Sequence, residues 1–121
     1  MLLDTNIIIY AAGEGQERLQ DWLEGQAFSV SVISRIEVLG RPHLSEEEKI
    51  WLADFFRKIH VHELTPDVAE RAIHLRQQRL MSMADAIMAA TALVHRLKLA
   101  THNVADFNHI ADLEILDPLV R

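Results

Sequence analysis

The chain has 121 residues, half of them hydrophobic and a quarter charged, with a formal net charge of −6. This length fits a single domain over residues 1–121 that buries its own core, since single domains typically have roughly 100–150 residues. The absence of cysteine excludes disulfide scaffolds, thiol catalysis and cysteine-based zinc sites.

Short apolar runs alternate along the chain with longer segments of helical periodicity. In chain order the pattern predicts a strand at 1–3, helices at 5–12 and 16–24, a strand at 27–30, a helix from 31 or 34 to about 40, a helix from 45 through an apolar stripe ending at 59, a strand at 60–64, helices at 66–79 and 83–96, and strands at 97–101 and 113–116. There is no linker, repeat or low-complexity segment that would indicate a domain boundary.

Several helix starts carry clear signals. Ser45 precedes three glutamates that complement the helix dipole, Thr65 precedes a proline, and Ser82 precedes the helix that contains Asp85. Ser34 and Glu37 stand at capping-box spacing, which gives Glu37 a purely structural interpretation. The apolar stripe of the helix after Ser45 is expected to be core, and it consists of Ile50, Trp51, Leu52, Phe55, Phe56 and Ile59.

Strands that alternate with helices predict a three-layer α/β/α sandwich with a mostly parallel five-stranded sheet. Ligand sites in such sheets lie at the carboxyl ends of the strands. Asp4 ends the first strand, Glu37 lies on the helix after the second, and Asn103 and Asp106 follow the fourth. Asp85, at a helix start, can face the same edge. This convergence is the first functional signal in the sequence.

Each of these acids has a structural interpretation as a cap, but three of them lie in strongly apolar segments. Asp4 is flanked by Leu3 and three later isoleucines, and Glu37 and Asp85 also have apolar neighbours. Charged groups in such settings are rarely buried unless they are paired or bound to metal. An all-oxygen ligand set without cysteine or a histidine motif suits Mg²⁺ or Mn²⁺.

Four motifs in order resemble those of the PIN-domain family, and most closely its VapC-type toxins. The first two are Leu3-Asp4-Thr5-Asn6 and Ser31-x-x-Ser34-x-x-Glu37-x-x-Gly40. The others are Ala84-Asp85-Ala86-Ile87-Met88-Ala89-Ala90-Thr91-Ala92 and Ala100-Thr101-His102-Asn103-x-x-Asp106-Phe107. The resemblance covers essentially the whole chain, and order, spacing and length all agree.

The resemblance implies a metal-dependent ribonuclease that hydrolyses RNA phosphodiester bonds with Mg²⁺ or Mn²⁺. It implies that Asp4, Glu37 and Asp85 hold the catalytic metal, and that Thr5 and Asn6 brace the first acid. It places Thr101 beside the site as a supporting hydroxyl. It also implies a tRNA or ribosomal RNA substrate, a VapB-type antitoxin that inhibits the enzyme, and a homodimer.

The sequence departs from the family pattern at the fourth acidic position. Many relatives have an aspartate two residues after the threonine, and Asn103 stands there in this chain. Asp106 is a catalytic candidate that could act instead, and the departure puts a second metal in doubt. A catalytically weak module that binds RNA or antitoxin is therefore the main alternative. A receiver or phosphatase-like domain is disfavoured, because Asn6 and Leu64-Thr65 occupy the places where it needs acids.

The chain has a basic stretch despite its overall acidity. Residues 71–105 carry five basic residues and one acid, a local charge of +4, whereas the rest of the chain has −10. Arg76, Arg79, Arg96 and Lys98 are the candidates for holding RNA phosphates beside the acidic site. The alternative is that they are solvated helix faces.

Three further expectations concern partners and location. Leu19, Trp22 and Leu23 on an early helix are expected to supply apolar surface to a homodimer. His102 lies beside Asn103, where a contact to phosphate is possible in principle, but an ordinary surface histidine is favoured. No apolar run approaches the ~18 residues of a membrane span. Because the N-terminus also lacks the positive region of a signal peptide, we expect a cytoplasmic protein without membrane contact.

Overall fold

The computed structural model describes residues 1–120, which form the expected α/β/α sandwich around one parallel sheet. The strands are β1 (Leu2–Leu3), β2 (Ser29–Ser31), β3 (His60–His62), β4 (Leu99–Ala100) and β5 (Ile115–Leu116). Their order across the sheet is β3-β2-β1-β4-β5, and every pairing is parallel. The helices are α1 (Thr5–Ala12), α2 (Glu17–Glu24), α3 (Val32–Leu39), α4 (Glu46–Lys58), α5 (Pro66–Gln78), α6 (Met83–His95) and α7 (Val104–Phe107).

The sheet separates two cores because successive side chains of a strand point to opposite faces. Leu2 and Leu99 are paired in register and pack into one core with α5, α6 and α7. Leu3 and Ala100, the next pair, pack into the other core with α1, α2 and α4. All four side chains are fully buried. The central strand therefore needs apolar residues on both faces, which explains its unbroken apolar run.

The helix starts follow the predicted caps with one exception. Ser45 and Glu48 form a complete capping box, and Thr65 accepts from the backbone N–H of Val68. Ser82 caps α6 by accepting from the backbone N–H of Asp85. The capping box predicted from Ser34 and Glu37 is wrong. Ser31, the other predicted cap of this helix, caps α3, which frees the side chains of Ser34 and Glu37 for the contacts described below.

The stripe on α4 is only partly core, so that expectation is corrected. Leu52 is fully buried, but Ile50 is 71% exposed because it lies on the outer side of the helix. Phe55 stacks between Trp51 and Phe28, with ring centroids 5.2 and 5.7 Å away, and these rings are half-buried at the surface. The observed strands are also shorter than predicted, since residues that flank the pairing segments turn into the neighbouring loops.

The topology brings the ends of three central strands together. Asp4 follows β1, α3 follows β2 directly, and Thr101 follows β4. Because β1 lies between β2 and β4, these residues share one edge of the sheet. None of the helices within residues 1–120 is long and apolar enough to cross a membrane.

A candidate active site at the carboxyl edge of the sheet

Asp4 is the buried centre of this edge. It is 5% exposed, and its Oδ2 accepts a hydrogen bond from the Thr101 hydroxyl at 2.6 Å. Burial raises the pKa of the Asp4 carboxyl, and the charges of Glu37 and Asp106 raise it further, against the lowering effect of the Thr101 bond. Asp4 also begins α1, but its side chain makes no capping bond. The carboxylate is thus held by a hydroxyl from the adjacent strand.

Glu37 is held at the same edge through Thr5. The Thr5 hydroxyl donates to Oε1 of Glu37 at 2.7 Å and also lies 2.9 Å from the hydroxyl of Ser34. Ser34 is fully buried and lies 3.8 Å from the sulfur of Met88 on α6. The supporting role of Ser34 was missed in the sequence, where its spacing to Glu37 indicated a helix cap.

Asp85 faces this cluster from the first turn of α6. Burial raises the pKa of Asp85, and the charges of Asp4, Asp106 and Glu37 raise it further, while a hydrogen bond from Ser82 lowers it. Four elements, β1, α3, α6 and α7, therefore bring like charges close enough to disfavour one another's ionisation. As predicted, these acids lie at one edge of the sheet, near enough to raise the pKa values of Asp4 and Asp85.

Within the part of the chain that the structure describes, the acidic cluster has no counter-ion. Among residues 1–120, none of the ion pairs includes Asp4, Glu37, Asp85 or Asp106. Within the same residues, no three carboxylate or imidazole groups already converge on a point that could hold a metal ion. The donor set nevertheless fits a hard divalent cation, because it offers only oxygen ligands and an uncompensated negative charge.

The predicted supporting residues divide into two groups. The Thr101 hydroxyl bonds Asp4, which agrees with its predicted place beside the site. The expectation that Thr5 braces Asp4 is corrected, because the Thr5 hydroxyl bonds Glu37 instead. Asn6 lies in the first turn of α1, and its side chain makes no hydrogen bond within residues 1–120, so bracing by Asn6 is not observed. Asn103 precedes α7, and its backbone N–H donates to the Thr101 hydroxyl at 3.0 Å. Both Asn103 and Asp106 thus lie at the edge where a fourth ligand is expected.

The four basic candidates lie at two different ends of the molecule. Arg76 donates to the carbonyl of Met81, and Arg79 caps α5, so both border the loop that leads into the Asp85 helix. Arg96 ends that helix, about 16 Å from Asp85 at 1.5 Å per residue. Lys98 precedes β4 and pairs with Glu114 at 3.9 Å. The expectation that Arg96 and Lys98 flank the acidic site is therefore wrong, because they lie at the amino end of the sheet.

A parallel sheet with strand order β3-β2-β1-β4-β5 and an acidic carboxyl edge together define a class of protein domain. A model of the PIN domain matches residues 1–113. The chain belongs to the PIN-domain family. The match covers most of the chain, and it rules against the receiver or phosphatase-like alternative.

Particular relatives refine this assignment. The chain is similar to Ribonuclease VapC10 of Mycobacterium tuberculosis, with 31% identity over 118 residues that cover 88% of this chain and 85% of that protein. A toxin–antitoxin complex from Klebsiella pneumoniae contains a chain that is 32% identical, with a TM-score of 0.77 and coverage of 97% and 96%. DNA-bound VapBC from Salmonella typhimurium has the same fold, with 20% identity, a TM-score of 0.84 and coverage of 97% and 96%. The resemblance to VapC-type proteins is confirmed.

Proposed function

We propose that this protein is a VapC-like toxin, a Mg²⁺- or Mn²⁺-dependent endoribonuclease that hydrolyses phosphodiester bonds in tRNA or ribosomal RNA. The observation that carries the proposal is the carboxylate cluster at the edge that Asp4, Glu37 and Asp85 share, which has no counter-ion among residues 1–120. Membership of the PIN-domain family and the likeness to a protein named a ribonuclease support it.

In this proposal Asp4, Glu37 and Asp85 hold the cation, and Asp106 or Asn103 completes the site. A bound divalent cation would acidify a water for attack and stabilise charge on the leaving oxygen. Thr101 and Thr5 keep the Asp4 and Glu37 carboxylates oriented, since each donates a hydrogen bond to one carboxylate oxygen. Arg79, exposed at the end of α5, is placed to hold an RNA phosphate on the same side.

Cleavage of total RNA with and without Mn²⁺ tests this proposal. We expect cleavage that EDTA abolishes and added Mn²⁺ restores. Asp4→Asn, Glu37→Gln and Asp85→Asn should each lower the cleavage rate about 100-fold or more. Mutation of residues that only support metal ligands already lowers metal affinity or activity about 10–100-fold. Asp112→Asn, an exposed acid at the opposite end, is the matched control and should cleave normally.

Circular dichroism of each variant separates loss of chemistry from loss of fold. Near-wild-type turnover by two of the three site variants in saturating Mn²⁺ would refute the assignment. The alternative, a module that binds RNA or antitoxin without efficient cleavage, predicts RNA binding by the wild type but no Mn²⁺-dependent product in a single-turnover reaction.

A VapB-type antitoxin is the proposed partner. Its support is the likeness to chains solved in toxin–antitoxin complexes, one of them 32% identical to this chain. The proposal predicts that a small DNA-binding protein encoded beside this one inhibits the cleavage. A purified neighbour that binds the chain without slowing the reaction would contradict inhibition.

We also propose a homodimer. Of the three residues predicted to supply its apolar surface, Trp22 is partly exposed, whereas the two leucines are buried. Leu19 and Leu23 are only 5% and 4% exposed because they fill the core under the sheet, so that part of the expectation is wrong. Large apolar side chains are exposed elsewhere. Leu80 is 96% exposed in the loop between α5 and α6, Met83 is 63% exposed at the start of α6, and Ile36 is 61% exposed on α3.

A further inference from the structure

His102 and Asp117 form a pair on the rim of the candidate active site. Nδ1 of His102 lies 3.0 Å from Oδ2 of Asp117. The two residues follow the neighbouring strands β4 and β5, where Ala100 is in register with Leu116. The backbone N–H of Thr101, whose hydroxyl bonds Asp4, donates to the carbonyl of Leu116. The pair therefore lies one residue away from a side chain that supports the carboxylate cluster.

Asp117 is fixed while the imidazole is presented to solvent. The Asp117 side chain is only 15% exposed, and its Oδ1 accepts from the backbone N–H of Leu119 at 3.0 Å. The His102 side chain is 45% exposed. Since an ionised carboxylate can only accept, the proton shared with Asp117 must lie on Nδ1 of His102. In the neutral imidazole, Nε2 then carries a lone pair and is a hydrogen-bond acceptor on a side chain that is nearly half exposed.

An acceptor in this position selects among the groups of a nucleic-acid backbone. Phosphate oxygens and sugar ring oxygens accept hydrogen bonds, and the 2′-hydroxyl is the backbone group that donates one and that DNA lacks. We propose that His102, held in its tautomer by Asp117, accepts a hydrogen bond from the 2′-hydroxyl of a bound RNA and so determines the preference for RNA over DNA. Asp117 is a positioning residue. The inference deepens the proposed function and rests on it.

The two amide replacements of His102 make opposite predictions. Asn places its amide near the Nδ1 position, so His102→Asn keeps a donor for Asp117 but loses the outward acceptor. Gln places its amide near the Nε2 position, so His102→Gln keeps an outward acceptor oxygen. A structural role for the pair predicts that Asn substitutes better, whereas recognition of the 2′-hydroxyl predicts that Gln does.

The experiment measures binding by fluorescence anisotropy at mildly alkaline pH, where imidazole side chains are generally neutral. The protein is the full chain carrying Asp85→Asn, so that the probe is not cut. The probes are short fluorescein-labelled pools of random sequence with ribose, 2′-deoxyribose or 2′-O-methyl sugars and the same bases. The 2′-O-methyl pool keeps the sugar shape of RNA without the donor.

We expect the parent to prefer the ribose pool over both other pools. His102→Asn should reduce this preference about five- to tenfold, the range of one hydrogen bond, and His102→Gln should retain most of it. Asp117→Asn should also reduce it, because an amide donor at position 117 moves the imidazole proton to Nε2. His74→Asn, an exposed histidine on α5, is the control and should leave the preference unchanged.

Three outcomes would overturn the inference: an unchanged preference in His102→Asn, an equal loss of affinity for all three pools, or no measurable binding of RNA by the parent. The readout does not involve cleavage. Failure of the wild type to cut RNA would therefore refute the proposed function, whereas failure of His102→Asn to change the preference would refute this inference alone.

Discussion

Asp4 shows at the scale of one residue how a functional group costs stability. Its carboxyl is 5% exposed, its pKa is raised by burial, and its hydrogen bond from Thr101 only partly offsets this. A carboxyl whose pKa is higher in the folded than in the unfolded state destabilises the fold while it is ionised. The destabilisation disappears as the pH falls through the raised pKa towards the ordinary value of 3.8.

We therefore expect Asp4→Asn to stabilise the protein at neutral pH in EDTA. The free energy of unfolding should rise by about 1 kcal/mol, which is typical of relieving a strained functional site. This corresponds to an increase of a few degrees in Tm. The gain should shrink as the pH is lowered towards 4, because the wild-type carboxyl then takes up a proton itself. Thermal unfolding followed by circular dichroism at several pH values is the measurement.

Asp21→Asn, at an exposed position on α2, is the control for that experiment because it makes the same change in net charge. This variant should show neither the higher stability at neutral pH nor a stability difference from the wild type that changes with pH. A lower Tm for Asp4→Asn at neutral pH would mean that the Thr101 bond to the ionised carboxylate outweighs its burial.

Asn103 gives a second prediction at the residue scale, on the number of metal ions. A second cation within ~4 Å of the first would be strongly repelled unless a further anion stood between them, and Asn103 supplies no charge. We expect one Mn²⁺ per protomer without RNA in a calorimetric titration, and tighter binding of a second ion in Asn103→Asp. Asp106→Asn should harm activity less than Asp85→Asn. Two comparably tight sites in the wild type would refute this and indicate that Asp106 is a full ligand.

The helices show which parts of the fold a sequence can predict. Caps such as Ser45, Thr65 and Ser82 act on backbone groups two or three residues away, so the sequence window contains both partners. The predicted ends of the strands were less accurate, because a strand extends only as far as its neighbouring strands pair with it. The Thr101 bond to Asp4 joins residues 97 positions apart, and no local pattern contains it. The acids could be predicted, but their hydrogen-bond partners could be assigned only by resemblance.

The position of a residue along its helix explains why two of the basic residues were wrongly predicted to lie beside the acidic site. Arg79 and Arg96 both lie in the basic stretch, but the intervening helix α6 carries Arg96 away from the site. Net charge in a sequence window does not distinguish the two ends of a helix. The same reasoning explains Leu19 and Leu23, since an apolar stripe on an amphipathic helix is more often the face that packs on its own core.

The end of α6 allows a prediction at the scale of one element. Arg96 adopts the left-handed conformation, with φ 56° and ψ 47°, which costs a non-glycine residue about 1 kcal/mol or more. We expect Arg96→Gly to raise the free energy of unfolding by about 0.5–1 kcal/mol relative to Arg96→Ala. Urea unfolding of the two variants is the measurement, and equal stability would contradict the argument. Because both variants lose the same charge, the comparison isolates the backbone.

At the scale of the whole molecule, the site carboxylates and two of the four basic candidates lie at opposite ends of the sheet. The carboxylates gather at the carboxyl edge, with Arg79 beside them, whereas Arg96 and Lys98 lie at the other end. Under the proposed function, the basic stretch would hold an RNA in the acidic site from one side, through its residues at the carboxyl edge. The exposed apolar residues Leu80 and Met83 lie on that same side, Leu80 in the loop between α5 and α6 and Met83 at the start of α6.

This arrangement favours a homodimer built around that loop. Covering a leucine side chain that is 96% exposed removes a large apolar area from water, and Met83, three residues further along the chain, is also exposed. We expect sedimentation velocity to show a dimer at tens of micromolar and Leu80→Glu to dissociate it, since burying an unpaired carboxylate is strongly unfavourable. Ile50→Glu, a comparable change on α4 at a 71% exposed position, should remain a dimer. A wild-type monomer at that concentration would refute the homodimer, and a Leu80→Glu dimer as stable as the wild type would place its interface elsewhere.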